Sequence, residues 1–148
     1  MNAPRVAPLV VIDTVVFIGA VLGRETGADA LIARAVATGE LRLALSDDAL
    51  RELVRVLGYP EVEAKIERPV RAFEVALAVG LMGTLYHPKR LDWPSLRDPK
   101  DGWVFDLAFE AGADFIITRD THVLDAGRTL GFEVKTPPEV VHHLRQAD

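Results

Sequence analysis

The chain has 148 residues, 49% of them apolar and 26% charged, which suits one domain with a full hydrophobic core. Its 17 basic residues against 22 acidic ones give a net charge of −5. That excludes a protein that coats nucleic acid through a basic excess, but not an enzyme whose bound metal meets the phosphate. The absence of cysteine excludes disulfides, zinc–thiolate centres and thiol catalysis, and makes a reducing cytoplasm the expected compartment.

From Leu9 to Leu22 the chain is almost continuously apolar. Asp13 interrupts that run, at a cost of roughly 3 kcal/mol in a bilayer, and the run is shorter than the ~18–20 residues a span needs. It is therefore expected to be a buried strand, Leu9–Ile12, and a following helix to Leu22, not a signal peptide or an anchor. Ala28–Thr38 has helical spacing and closes at Gly39. Leu41–Leu45 alternates as a second strand. Ser46 then caps a helix with Asp47 and Asp48 in its first turn and Leu50, Leu53, Val54 and Leu57 as its apolar stripe.

Residues 61–82 are expected to form one or two helices broken near Pro69, and Thr84–His87 a short strand. Pro88–Lys100 reads as too irregular for an element. Gly102–Ala111 reads as a helix stopped by Gly112, Phe115–Thr118 as a buried strand, and Glu133–Lys135 as a last strand. A short helix follows Asp120, and Pro137-Pro138 opens a terminal one to Arg145. Strands alternating with helices, with no linker or repeat, predict a single three-layer α/β/α domain over 1–148 around a mainly parallel sheet.

In such sheets ligands bind beyond the carboxyl ends of the strands. Asp13 follows the first strand, Glu52 lies in the helix after the second, and Asp120 follows the strand at 115–118. Asp98 and Asp101, in RDPKD, stand at the start of the helix feeding that strand. Two carboxylates ~4 Å apart repel by about 4 kcal/mol at an effective dielectric of 20. A shared edge of acids therefore points to a hard cation and metal-assisted phosphate chemistry. Taken singly, each acid also reads as a helix cap, a turn former or a solvated helix residue; only their joint placement favours metal.

These segments resemble the PIN-domain ribonucleases, and within them the VapC-like toxins of toxin–antitoxin pairs. VIDTVVFIGAVL is similar to the family's opening strand, with Asp13 as the first acid and Thr14 beside it. LSDDALRELVRVL aligns Glu52 with the family's glutamate. RDPKDGWVFDLAFEAGADFIITRDTHVL aligns Asp101 with the third acid, Asp98 just before it, Thr118 with the small hydroxyl residue and Asp120 with the fourth acid. The resemblance implies a Mg²⁺- or Mn²⁺-dependent endoribonuclease, with Asp13, Glu52, Asp101 and Asp120 as catalytic acids and metal ligands. It further implies Asp98 as an additional ligand, Thr14 and Thr118 in support, RNA as substrate, a homodimer, and silencing by an antitoxin.

Two positions depart from the family pattern: Val15 replaces the usual Asn, and His122 stands where a further acid is common. Arg97, Lys100 and Arg119, with Arg51 and Arg55, flank the acids as candidate phosphate-holding or merely solvated cations. Trp93 is a candidate for a partner surface, and Trp103 for core packing or base stacking. A non-catalytic PIN-like binding module and a receiver-like domain, with Lys135 as its weak lysine, are the alternatives. The apolar composition of 61–82 is expected to face a protein partner.

Overall fold

A computed structural model describes residues 6–23, 26–66, 72–94 and 96–146. Strand β1 (Leu9–Ile12) leads into α1 (Thr14–Leu22) and α2 (Ala28–Ala37), and β2 (Arg42–Leu45) into α3 (Asp47–Leu57) and the single-turn α4 (Pro60–Glu63). Helix α5 (Ala72–Met82) runs without a loop into β3 (Gly83–Leu85). One 3₁₀ turn (Pro99–Asp101) opens α6 (Gly102–Ala111). Then come β4 (Phe115–Ile117), α7 (Thr121–Thr129), β5 (Val134–Lys135) and α8 (Pro137–Gln146).

Among the described residues the five strands form one parallel sheet in the order β3-β2-β1-β4-β5. Alternation across the pleat sorts the core into two layers. Val10, Ile12, Leu43, Leu45, Phe115 and Ile117 pack with residues of α1, α2, α3, α5 and α8. Leu9, Val11, Ala44 and Ile116 pack with residues of α6 and α7 on the other face. The domain is the expected three-layer α/β/α fold, and the sheet is all parallel.

The expected boundaries hold within a few residues, with two differences. The third strand starts and ends earlier than Thr84–His87, because Gly83 already pairs with Leu43; a Cβ at residue 83 would stand 2.6 Å from Leu45 Cδ1, so only glycine begins the strand there. The stretch expected to be wholly irregular contains the 3₁₀ turn, which Asp98 caps by accepting from Lys100 N at 3.0 Å. The expected break near Pro69 lies outside the described residues.

Candidate active site

The strand order reverses direction between β1 and β4: β1 connects outward to β2 on one side, and β4 to β5 on the other. That switch point opens a crevice beyond the strand ends, where α/β sheets bind ligands. Register places Ile12 opposite Ile117, so Asp13 and Thr118 leave the sheet side by side. Asp13 N donates to Ile117 O at 2.9 Å, which fixes the backbone at this point.

Each acid at this edge has its own environment. Asp13 occupies the N-cap position of α1, yet its carboxylate caps nothing; Oδ2 instead accepts from the Thr118 hydroxyl at 2.7 Å. Thr118 is fully buried, and its Oγ1 in turn accepts from Asp120 N at 3.0 Å, so one hydroxyl ties two acids together. Burial raises the pKa of Asp13 above the ordinary 3.8; the Thr118 bond and a backbone bond at Thr14 oppose this, and repulsion from Asp120 and Glu52 adds to it. Thr14 itself is buried as the first residue of α1.

Asp101 also stands at an N-cap without making a cap bond. Burial first, then repulsion from Asp120, Asp98, Asp13 and Glu52, pushes its pKa up to about 6. This carboxylate feels every other candidate acid, and among the described residues it forms no ion pair.

The remaining acids are engaged. Asp120 Oδ1 accepts from His122 N at 2.9 Å and caps α7, and Asp98 caps the 3₁₀ turn. Glu52 forms a two-pronged ion pair with Arg55, at 2.6 and 3.1 Å, while Arg55 also bonds the Tyr59 hydroxyl. His122 is exposed in the first turn of α7, beside Asp101 in a cleft that also includes Arg97 and Asp125.

Asp13, Glu52, Asp98, Asp101 and Asp120 thus share one edge and repel one another. They do not share one pocket: Glu52 lines a cleft on one side, and Asp101 lines the other. Among the described residues, no three acidic or histidine side chains lie close enough together to hold an ion. The donor set, all carboxylate oxygen, fits a hard divalent cation. To hold such an ion, Glu52 would share its carboxylate with Arg55 or leave that ion pair.

Two side chains differ from their sequence-based roles. Arg119 does not extend toward substrate; it clamps Asp29 of α2 through Nε at 3.0 Å and Nη2 at 2.7 Å. Asp29 is nearly buried and fits because residue 19 is glycine, where a Cβ would stand 1.8 Å from its Oδ2. Trp93 is not a free surface residue. Its Nε1 donates to Asp106 at 2.7 Å, and its ring meets Phe105, Phe109 and Phe132. The Lys135 ammonium lies over the Phe115 ring and 3.9 Å from Glu133.

Sequence reasoning missed Asp29 and Asp106. An acid amid the otherwise apolar GWVFDLAF was the available signal for Asp106, since a buried carboxylate needs donors. Those donors are Trp93 Nε1 and Leu91 N, the latter at 3.0 Å. Asp29, in the first turn of a helix, gave no such signal.

A family model described as PIN domain matches residues 9–122, from the first residue of β1 to His122. No curated protein matches the chain. PIN domains are in general nucleases, hydrolases of phosphodiester bonds, and typically use divalent metals. With the matched stretch spanning four of the five strands and all five edge acids, the chain belongs to the PIN-domain family.

Proposed function

We propose that the protein is a Mg²⁺- or Mn²⁺-dependent endoribonuclease, the VapC-like toxin of a cytoplasmic toxin–antitoxin pair. In this reading Asp13, Glu52, Asp101 and Asp120 hold the metal and activate its water, with Asp98 as a further ligand and Thr14 and Thr118 in support. The observation that carries it is Asp101: an uncapped carboxylate whose pKa is raised to about 6 by burial and by four neighbouring acids. Burial and like charge together make the ionised form of this carboxylate costly, and a divalent cation would offset that cost.

A divalent ion at this edge supplies polarisation of the phosphoryl group and a lowered pKa for a water molecule. The chain's own residues do the rest. Thr118 orients Asp13 and the turn to Asp120 through one buried hydroxyl, so two acids from different elements keep a fixed separation. Asp101 stands at the start of α6 without a cap bond, so its carboxylate would be available to such an ion.

An antitoxin or a second copy of the chain is supported by α5. Val75, Ala76 and Val79 pack against the core, while Phe73, Leu77 and Leu81, one helical turn apart, are 70%, 53% and 80% exposed. Among the described residues no helix is long and apolar enough to cross a membrane.

The direct test is RNA cleavage with metal or chelator present. Asp13→Asn should remove metal-dependent cleavage and leave the far-UV circular dichroism spectrum unchanged, because the amide keeps the shape and can still accept from Thr118. Full activity in the variant would mean that the chemistry lies elsewhere. A non-catalytic binding module is the second reading, favoured by Val15, which is exposed where the family has Asn, and by the Glu52–Arg55 pair. Metal-dependent cleavage by the wild type would reject it.

A further inference from the structure

Beside the acidic edge lies a cleft of about 540 Å³ that shares Glu52 with it. Its first wall is α3, with Asp48, Arg51, Glu52 and Arg55; its second is the extended segment at Arg90 and Leu91; its floor is Pro99, Lys100 and the start of α6 with Trp103. The second wall is fixed in place. Buried Asp106 of α6 accepts from Leu91 N at 3.0 Å and Trp93 Nε1 at 2.7 Å, which pins an otherwise irregular stretch one residue from Arg90.

The charges on the two walls differ in kind. On α3 the cations are already satisfied within the helix, Arg51 by Asp48 at 3.5 Å and Arg55 by Glu52 at 2.6 Å. Arg90 and Lys100 have no acidic partner within salt-bridge distance among the described residues. The third acid lining the cleft, Asp106, is occupied by its two N–H donors. In a chain of net charge −5, this cleft carries four cations against three acids, and its two uncommitted cations line it together with the half-buried indole of Trp103. Spaced cations beside an aromatic face suit a single nucleic-acid strand, whose phosphates are held by charge while a base stacks.

We propose that this cleft seats the single-stranded RNA segment next to the scissile phosphate, with Arg90 and Lys100 on successive phosphates and Trp103 beneath a base. This rests on the ribonuclease reading above. It adds the direction in which the strand leaves the acids: past Glu52 toward α3 and the pinned segment, not past His122. Release of Glu52 from Arg55 on metal binding would also free a third cation at the mouth of the same cleft.

The test is binding of a fluorescein-labelled single-stranded oligoribonucleotide to the Asp13→Asn protein in Mg²⁺, by anisotropy over a series of salt concentrations. Arg90→Gln and Lys100→Gln should each weaken binding roughly three- to tenfold and lower the slope of log K against log salt by about 0.7. Arg34→Gln, at the end of α2 beside the amino ends of the strands, should change neither quantity. In the cutting enzyme the two cleft substitutions should raise KM more than they lower kcat. Unchanged affinity and slope in both cleft variants, with RNA still bound by the parent, would overturn the cleft and leave the ribonuclease reading intact. No binding of RNA by the parent, together with no cleavage by the wild type, would overturn that reading and the cleft with it.

Discussion

Thr118 and Arg119 are consecutive residues with opposite tasks, and between them they set the geometry of the acidic edge. The Thr118 side chain turns inward to Asp13 and to the backbone of Asp120, while Arg119 reaches outward to α2, where Asp29 accepts its guanidinium fork. Such a planar, two-point pair holds orientation as well as position, which a lysine ammonium cannot do. Asp29 is mostly buried, so removing its charge leaves Arg119 free to move and costs roughly 1–3 kcal/mol in stability. We expect Asp29→Asn and Arg119→Lys each to lower cleavage well beyond what that loss of stability explains. Both variants should remain folded at the assay temperature, and both should require more Mn²⁺ for half-maximal activity. Melting curves and metal titrations on the same preparations check this; normal metal dependence in both variants would reduce the pair to a structural tie. None of this was legible in the sequence, because the partners lie 90 positions apart and Asp29 looks like an ordinary first-turn acid.

Elements were more legible than contacts, for a reason visible in β1. Four consecutive buried residues, Leu9–Ile12, admit a central parallel strand and little else of that length. Helix α3 was equally plain, since Ser46 accepts from Ala49 N at 3.1 Å and two acids fill the first turn. Ser46→Ala should therefore destabilise the domain by about 1 kcal/mol, with the midpoint of urea unfolding as the readout. A second substitution probes packing. Gly127 lets α7 sit on β5, and a Cβ there would stand 2.4 Å from Val134 Cγ2 and 3.4 Å from Phe105 Cε1. Gly127→Ala should cost about 1–3 kcal/mol through overpacking, so a variant as stable as wild type would show that β5 yields easily. The tie at Leu91 and Trp93 could not be read from the sequence, because it comes from a carboxylate 13 to 15 residues downstream and not from any local period. The same distinction applies to the acids: the sequence places five of them at the edge, but only coordinates separate the capping pair, Asp98 and Asp120, from the uncapped pair, Asp13 and Asp101.

At the scale of the whole molecule, the acids of this edge repel one another in the folded chain, and Asp101 is the residue through which this can be measured. Its pKa in the folded chain is about 6, against an ordinary 3.8, so between those values the folded state binds more protons than the unfolded one. The sign follows from linkage. The contribution of Asp101 to stability is fully present below about pH 4 and is lost as the pH rises through about 6. At neutral pH the ionised group therefore weakens the fold, and Asp101→Asn should raise the melting temperature of the metal-free protein and flatten its fall across that window. The Asp101 side chain makes no cap bond, so the amide forfeits none. Mn²⁺ should act unequally on the two proteins. An ion that binds only the folded state stabilises it by roughly 2.7 kcal/mol at a hundredfold excess over its dissociation constant. Wild type should accordingly gain several degrees at constant ionic strength, while the variant, one ligand short, should gain little. The wild type would then overtake the variant as metal is added, and this crossing of the two melting series separates a metal site from a group of surface acids. Surface acids would show no response to Mn²⁺ and no rise on substitution, and melting curves that coincide in all four conditions would remove the metal reading of this edge.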